Sequence, residues 1–136
     1  MELTPLIQAL SDPAAYPVPV PLVEVRQTHV SVVFLAGGHA YKVKKRVNLG
    51  FLDFSTLEKR RHFCAEEVRL NARLAPSVYL GVVPVTRDGA GLRVEGDGAA
   101  VEWAVKMERL PDAASLLHQL LHGDVDAALL DQKSVV

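Results

Sequence analysis

Ser55-Thr56-Leu57-Glu58 is the feature that most restricts what this chain can fold into. A hydroxyl residue three positions ahead of a glutamate has the spacing of a capping box, with Ser55 at the N-cap and Glu58 at N3. Apolar Leu57, Phe63, Cys64, Val68, Leu70 and Leu74 follow at broadly helical spacing, up to Ala75-Pro76 as a stop. The sequence therefore predicts one long helix over about 56–74. Its flanks are not helical. His29–Leu35 (HVSVVFL) is β-branched and apolar, Ala36-Gly37-Gly38-His39 is a turn, and Ala40–Lys45 (AYKVKK) reads as a second strand. Two such runs around Gly-Gly predict an antiparallel hairpin. Alternation along the second strand puts Ala40, Lys42 and Lys44 on one face and Tyr41 and Val43 on the other. Beyond the helix come Val78–Val85, a turn near 87–91, Leu92–Glu95, a turn at Gly96-Asp97-Gly98, and Ala100–Met107 as a strand. Strands, one helix, then strands again imply an α+β fold: a twisted antiparallel sheet of about five strands with the helix across one face.

The ends are less informative. Residues 3–10 suit a short helix stopped by Asp12-Pro13, and Pro17, Pro19 and Pro21 make a stiff extended arm that reads as a lead-in. Leu110-Pro111-Asp112 leads to predicted short C-terminal helices at about 113–121 and 125–131.

Composition excludes several classes of protein. Apolar residues make up 49% of 136 and charged residues 23%, enough for a packed core and against wholesale disorder. The net charge of −1 gives no bulk attraction to DNA or anionic lipid, so nucleic acid is not an expected partner. The balance is not uniform: residues 42–73 hold nine Lys/Arg and four Asp/Glu, a local +5 that leaves −6 for the remainder. A solvated helix face plus a strand end is the plainer reading of that band, and an anionic partner the sharper one. The lone Cys64 excludes an internal disulfide or a Cys-rich zinc site and reads as a buried, inert thiol. His29, His39, His62, His118 and His122 form no histidine pair with a carboxylate between, so no metal site is expected. No apolar run approaches the roughly 20 residues of a membrane span, and the N-terminus lacks a signal-peptide pattern. A reduced, cytoplasmic domain is the expectation.

Two constellations could carry chemistry. The first is a strand lysine, Lys42 or Lys44, followed by the helix pair Glu66-Glu67. Kinase-type phosphoryl transfer uses such a pair: the carboxylate holds the ammonium, and the ammonium neutralises nucleotide phosphate oxygens. Spacing alone equally suits a surface lysine and a solvated acidic pair. The second is His122-Gly123-Asp124, which has the His-x-Asp form of a catalytic loop. The asparagine such a loop needs five residues later is Leu129 here, so Gly123 is better read as a helix C-cap and Asp124 as the next N-cap.

The stretches THVSVVFLAGGHAYKVKKR (28–46), NLGFLDFSTLEKRRHFCAEEVRLNARLAP (48–76), YLGVVPVTRDG (79–89) and VEWAVKMERLP (101–111) together resemble the N-terminal region of bacterial aminoglycoside-phosphotransferase-like proteins. More narrowly they resemble the branch often fused to a P-loop ATPase domain. The resemblance implies a protein-kinase-like small lobe over 23–111, with 1–22 as lead-in and 112–136 as the start of a large lobe. Ala40-Tyr41-Lys42 resembles the Ala-x-Lys strand, which implies Lys42 as the phosphate-contacting lysine and Lys44 as its fallback. Glu67 resembles the helix glutamate, with Glu66 second. Gln27-Thr28-His29-Val30-Ser31 falls at the phosphate-covering loop but lacks its glycines, so the hydroxyls of Thr28 and Ser31 would have to help. Val105–Pro111 resembles the edge strand and hinge, with Met107 beside the nucleotide and the backbone of Glu108–Leu110 hydrogen-bonding adenine.

The implied ligand is ATP with magnesium, and the implied parent moves the γ-phosphate to a small-molecule hydroxyl. The large lobe, with its catalytic base and magnesium ligands, is missing from this sequence: only 112–136 follow the hinge, as in a truncated gene or a fragment. The chain alone is therefore expected to be inactive and to expose an apolar face suited to homo-oligomerisation. The rival expectation is a non-catalytic binding or assembly module using the basic 42–73 band.

Overall fold

A computed structural model describes residues 2–50 and 52–109. The elements run α1 (Leu3–Leu10), a 3-10 turn (Pro13–Ala15), β1 (Val23–Gln27), β2 (Ser31–Ala36), β3 (His39–Lys44), α2 (Leu57–Asn71), β4 (Tyr79–Asp88), β5 (Gly91–Val94) and β6 (Ala100–Glu108). The strands form one curled antiparallel sheet in the order β1-β2-β3-β6-β4-β5, so the last strand lies in the middle. The architecture is α+β, as the element order implies.

The hairpin forms in the register its turn dictates, with Ala36 opposite His39 and Ser31 opposite Lys44. Gly37 turns the chain at φ +61°, and a Cβ there would stand 3.0 Å from Val20 Cγ1. Glycine is thus needed both for the left-handed conformation and for the close approach of the proline arm. Every residue of β2 is buried. Such continuous burial belongs to a strand covered on both faces. On one face α2 brings Cys64 against Val33, Leu35, Ala40, Val105 and Met107. On the other, Leu6 and Leu10 of α1, with Tyr16 just beyond, pack on Val32, Phe34, Tyr41, Val43 and Val85. Burying Leu6 and Leu10 contributes about 1.5–3 kcal/mol each. Residues 3–16 are therefore the second cover of the sheet and more than a lead-in.

Several boundaries depart from the sequence reading. The N-cap of α2 is Thr56, whose side chain accepts from Lys59 N at 3.1 Å, while Ser55 N donates to Asp53 Oδ1 instead. That shifts the helix start by one residue and moves Glu58 from N3 to N2. The helix ends at Asn71, three residues before the expected last helical residue, and Leu74 is 86% exposed. The sheet has six strands against about five, because Val23–Gln27 pairs with β2. β4 also runs on through Arg87 to Asp88, so the turn falls at Gly89-Ala90. The expected helices at 113–121 and 125–131, with His118, His122 and Asp124, lie outside the described residues.

Candidate functional site

The buried face of α2 carries Arg60, Cys64 and Glu67, at i, i+4 and i+7. Those positions form one stripe on a helix, and two of the three are charged. Each charge meets its opposite. Glu67 reaches β3, where alternation has brought Lys42 and Lys44 to the same face. Lys44 Nζ lies 2.6 Å from Glu67 Oε1 and Lys42 Nζ lies 3.3 Å from Glu67 Oε2. All three side chains are at least nine-tenths buried. Among the described residues, Glu67 thus answers both ammonium groups, one with each carboxylate oxygen.

The electrostatics separate the two lysines. Burial pushes Lys42 down, and although Glu67 opposes this, Lys44 adds to it; the balance falls to about 8. Lys44 is also penalised by burial, but its shorter bond to Glu67 holds it above the ordinary lysine value. Burial would raise Glu67, and the two lysines reverse this, bringing it to about 2. Cys64 lies between these charges and Trp103 O, and burial pushes its thiol up to about 12. From β4, Tyr79 faces Glu67 and is likewise raised, chiefly by burial.

A loop closes one end of the cluster. Leu49 N donates to Leu52 O and Phe54 N to Val47 O, folding 47–54 back on itself. Leu52 and Phe54 then pack with Val30 and Phe63. The Phe54 ring stands 5.1 Å from Lys44 Nζ, a cation–π contact. At the start of α2, Arg60 Nε donates to both oxygens of Glu102 at 3.0 and 3.1 Å, and its guanidinium also donates to Phe54 O at 2.9 Å.

Of the residues singled out from sequence, the structure brings Ala40, Lys42, Lys44 and Glu67 together. Glu66 is elsewhere, making a two-bond pair with Arg69 on the outer face of α2. Thr28 is engaged locally: its Oγ1 accepts from Ser31 N at 3.0 Å, closing the β1–β2 turn. Ser31 sits opposite Lys44 on the neighbouring strand, buried, and its Oγ has no partner among the described residues. Met107 is buried against Ala40. Glu108 N donates to Val78 O and Arg109 N to Gly38 O, so those two N–H groups, expected to face adenine, already serve the sheet. Leu110 lies outside the described residues.

The basic band largely dissolves on folding. Lys42, Lys44 and Arg60 are buried in pairs, Lys59 binds Asp53, Arg69 binds Glu66, and Arg61 stacks 4.2 Å over Trp103. Sequence reasoning missed Arg60 and Glu102, 42 positions apart. The available signal was the 60-64-67 spacing itself, which a stripe of purely apolar residues would have made obvious. Among the described residues no cluster of histidine, cysteine and carboxylate side chains could hold a metal ion, and no helix is long and apolar enough to cross a membrane.

The chain is similar to uncharacterized proteins of Mycobacterium bovis and of two strains of Mycobacterium tuberculosis, each 38% identical over 110 residues. That alignment covers 80% of this chain and 20% of each relative, so the chain spans about a fifth of the length of the curated relatives it matches. No protein-family model matches the sequence and no solved structure matches it.

Proposed function

We propose that this chain is the ATP-binding small lobe of a kinase-like phosphotransferase. The observation that carries the reading is the buried Lys42–Glu67–Lys44 cluster: lysines on the third strand, answered by a carboxylate from the helix that follows. Phosphoryl transfer is catalysed mainly by positioning and charge neutralisation. A carboxylate-anchored ammonium of this kind supplies one such charge at nucleotide phosphates. The placement of α2 between β3 and β4 of an antiparallel sheet also suits a kinase-like small lobe. Magnesium would be held by carboxylates outside the described residues, and the parent protein would pass the γ-phosphate to a small-molecule hydroxyl. In this reading the small lobe alone binds nucleotide and does not turn it over. The rival reading, a basic surface for an anionic partner, draws less support because most of its cations are paired or buried.

Thermal unfolding with and without Mg-ATP tests the proposal. A ligand at one hundred times its Kd stabilises by about 2.7 kcal/mol. Mg-ATP is expected to raise the Tm of the wild type and of Arg73→Ala, which alters an exposed cation, and to leave Lys42→Met unmoved. No Mg-ATP response in the wild type, with salt-sensitive retention on heparin, would overturn the reading in favour of the rival.

A further inference from the structure

The sheet ends in β1 on one side and β5 on the other, and the two edges are not alike. β5 is only four residues long, and shortness is one way natural proteins blunt an edge. β1 lacks the usual protections: VEVRQ contains no proline or lysine, and its pairing with β2 is regular from Val23 to Gln27. We propose that β1 is the interface of a symmetric dimer, in which the β1 edges of two copies of this chain pair antiparallel about Val25 and continue the sheet from one copy into the other. The surface is a strand edge rather than an exposed apolar face, and the inference is independent of the nucleotide reading above.

The hairpin of β1 and β2 determines which backbone groups face outward. Thr28 N donates to Ser31 O at 2.9 Å, and hydrogen-bonded pairs alternate along an antiparallel ladder. Alternation therefore gives the bonds to β2 to Arg26 and Glu24, opposite Val33 and Leu35. The other side of β2 agrees: Lys45 N donates to Val30 O, so the even positions of β2 serve β3 and the odd ones serve β1. The N–H and C=O groups of Val23, Val25 and Gln27 consequently point away from the sheet, and among the described residues no other element bonds to them. In a two-fold arrangement about Val25 these are the groups that meet. Val25 pairs with Val25, and Val23 of each copy with Gln27 of the other.

The side chains select that register. Glu24 and Arg26 share one face of β1, and their side chains are 43% and 55% exposed. Pairing about Val25 sets Glu24 of each copy directly opposite Arg26 of the other, at the non-hydrogen-bonded positions where side chains come closest. A slip of two residues, the smallest that keeps the backbone bonds, puts Glu24 against Glu24 in one direction and Arg26 against Arg26 in the other. Parallel pairing in register also sets like charges side by side. Within one copy Glu24 lies 3.5 Å from Arg26 and 3.6 Å from Arg109. Both contacts are long and exposed, so little holds them against a partner across the axis. Leu22, 56% exposed just before β1, falls opposite Thr28 of the other copy in the same register.

Sedimentation of the full chain from micromolar to near-millimolar concentration tests the proposal. The wild type is expected to dimerise, less tightly at high salt. Glu24→Arg and Arg26→Glu each place like charges opposite one another and should weaken self-association by at least about tenfold. Mixed together, the two variants are complementary at both positions and should associate as the wild type does. Amide exchange needs no variant: the Val25 N–H should become protected as the dimer fills, while the Arg26 N–H, bonded to β2, is protected throughout. A wild type that stays monomeric overturns the proposal, as do single variants that dimerise like the wild type. A mixture that stays monomeric overturns the register about Val25. Should either variant fail to fold, exchange decides: a Val25 N–H still exposed in the dimer, or already protected in the monomer because the chain covers its own edge, overturns the proposal.

Discussion

Replacing Arg60 by methionine tests whether the start of α2 is held to the sheet by charge. The guanidinium makes two bonds to Glu102 and one to Phe54 O, and both partners' side chains are 3% exposed or less. Methionine keeps much of the volume and removes every donor. Glu102 is then a buried carboxylate whose remaining donor among the described residues is Trp103 N. Breaking a buried pair from one side costs about 3–5 kcal/mol, and an orphaned carbonyl such as Phe54 O adds about 1–3 kcal/mol. The total, about 4–6 kcal/mol after some rehydration, is a large part of the roughly 5–15 kcal/mol that holds a domain together. For a domain of this size it corresponds to a Tm loss of roughly 12–25 °C. Urea unfolding followed by Trp103 fluorescence suits the measurement, because Trp103 is the one tryptophan and adjoins both Glu102 and the stacked Arg61. The double variant Arg60→Met/Glu102→Leu removes both charges and should recover to within about 2 kcal/mol of wild type, since apolar replacements of buried pairs are often tolerated. A cost below about 1 kcal/mol for Arg60→Met, or a double variant that simply adds the two single losses, refutes the reasoning.

Three further predictions address other parts of the molecule. Thr56→Ala should cost about 1 kcal/mol in urea unfolding while Ser55→Ala stays within about 0.5 kcal/mol, because only Thr56 caps α2. Glu67, ordinarily titrating near 4.5, is held at about 2 in the folded chain, so its contribution is fully present above about pH 4.5 and is lost as pH falls toward 2; Glu67→Gln should flatten the wild-type decline in Tm across that window. Cys64, buried with its thiol at about 12, should resist a thiol-reactive dye at pH 8 in the native protein and react fully in urea.

Much of the fold is legible in the residues because its signals are local. The Gly37-Gly38 turn sets the hairpin register, and that register, with period-two alternation, fixes Lys42 and Lys44 on the α2 side. Sequence ranks Glu67 over Glu66 only by resemblance; the physical choice needs the helix phase, which places Glu67 in line with Arg60 and Cys64. What escapes is non-local. Arg60 looks like one more surface cation in a basic run until Glu102 arrives from β6. The strand character of Val23–Gln27 comes from pairing with β2, and the covering role of α1 depends on a face of the sheet assembled from later strands. The N-cap slips by one residue because Ser55 and Thr56 are both capable caps, and Asp53 has already engaged Ser55 N.

The position of β6 has a consequence for how the chain acquires its structure. The sheet order leaves β1-β2-β3 and β4-β5 as separate pieces whose facing edges meet only through the last strand. During synthesis from the N-terminus, the edges of β3 and β4 remain unpaired until residues 100–108 have emerged. Arg60 waits for Glu102 over the same interval. The domain therefore cannot mature piecemeal along its length: its cooperative unit closes in one late step, and a chain stopped before Ala100 would present two open strand edges ready to pair with other chains.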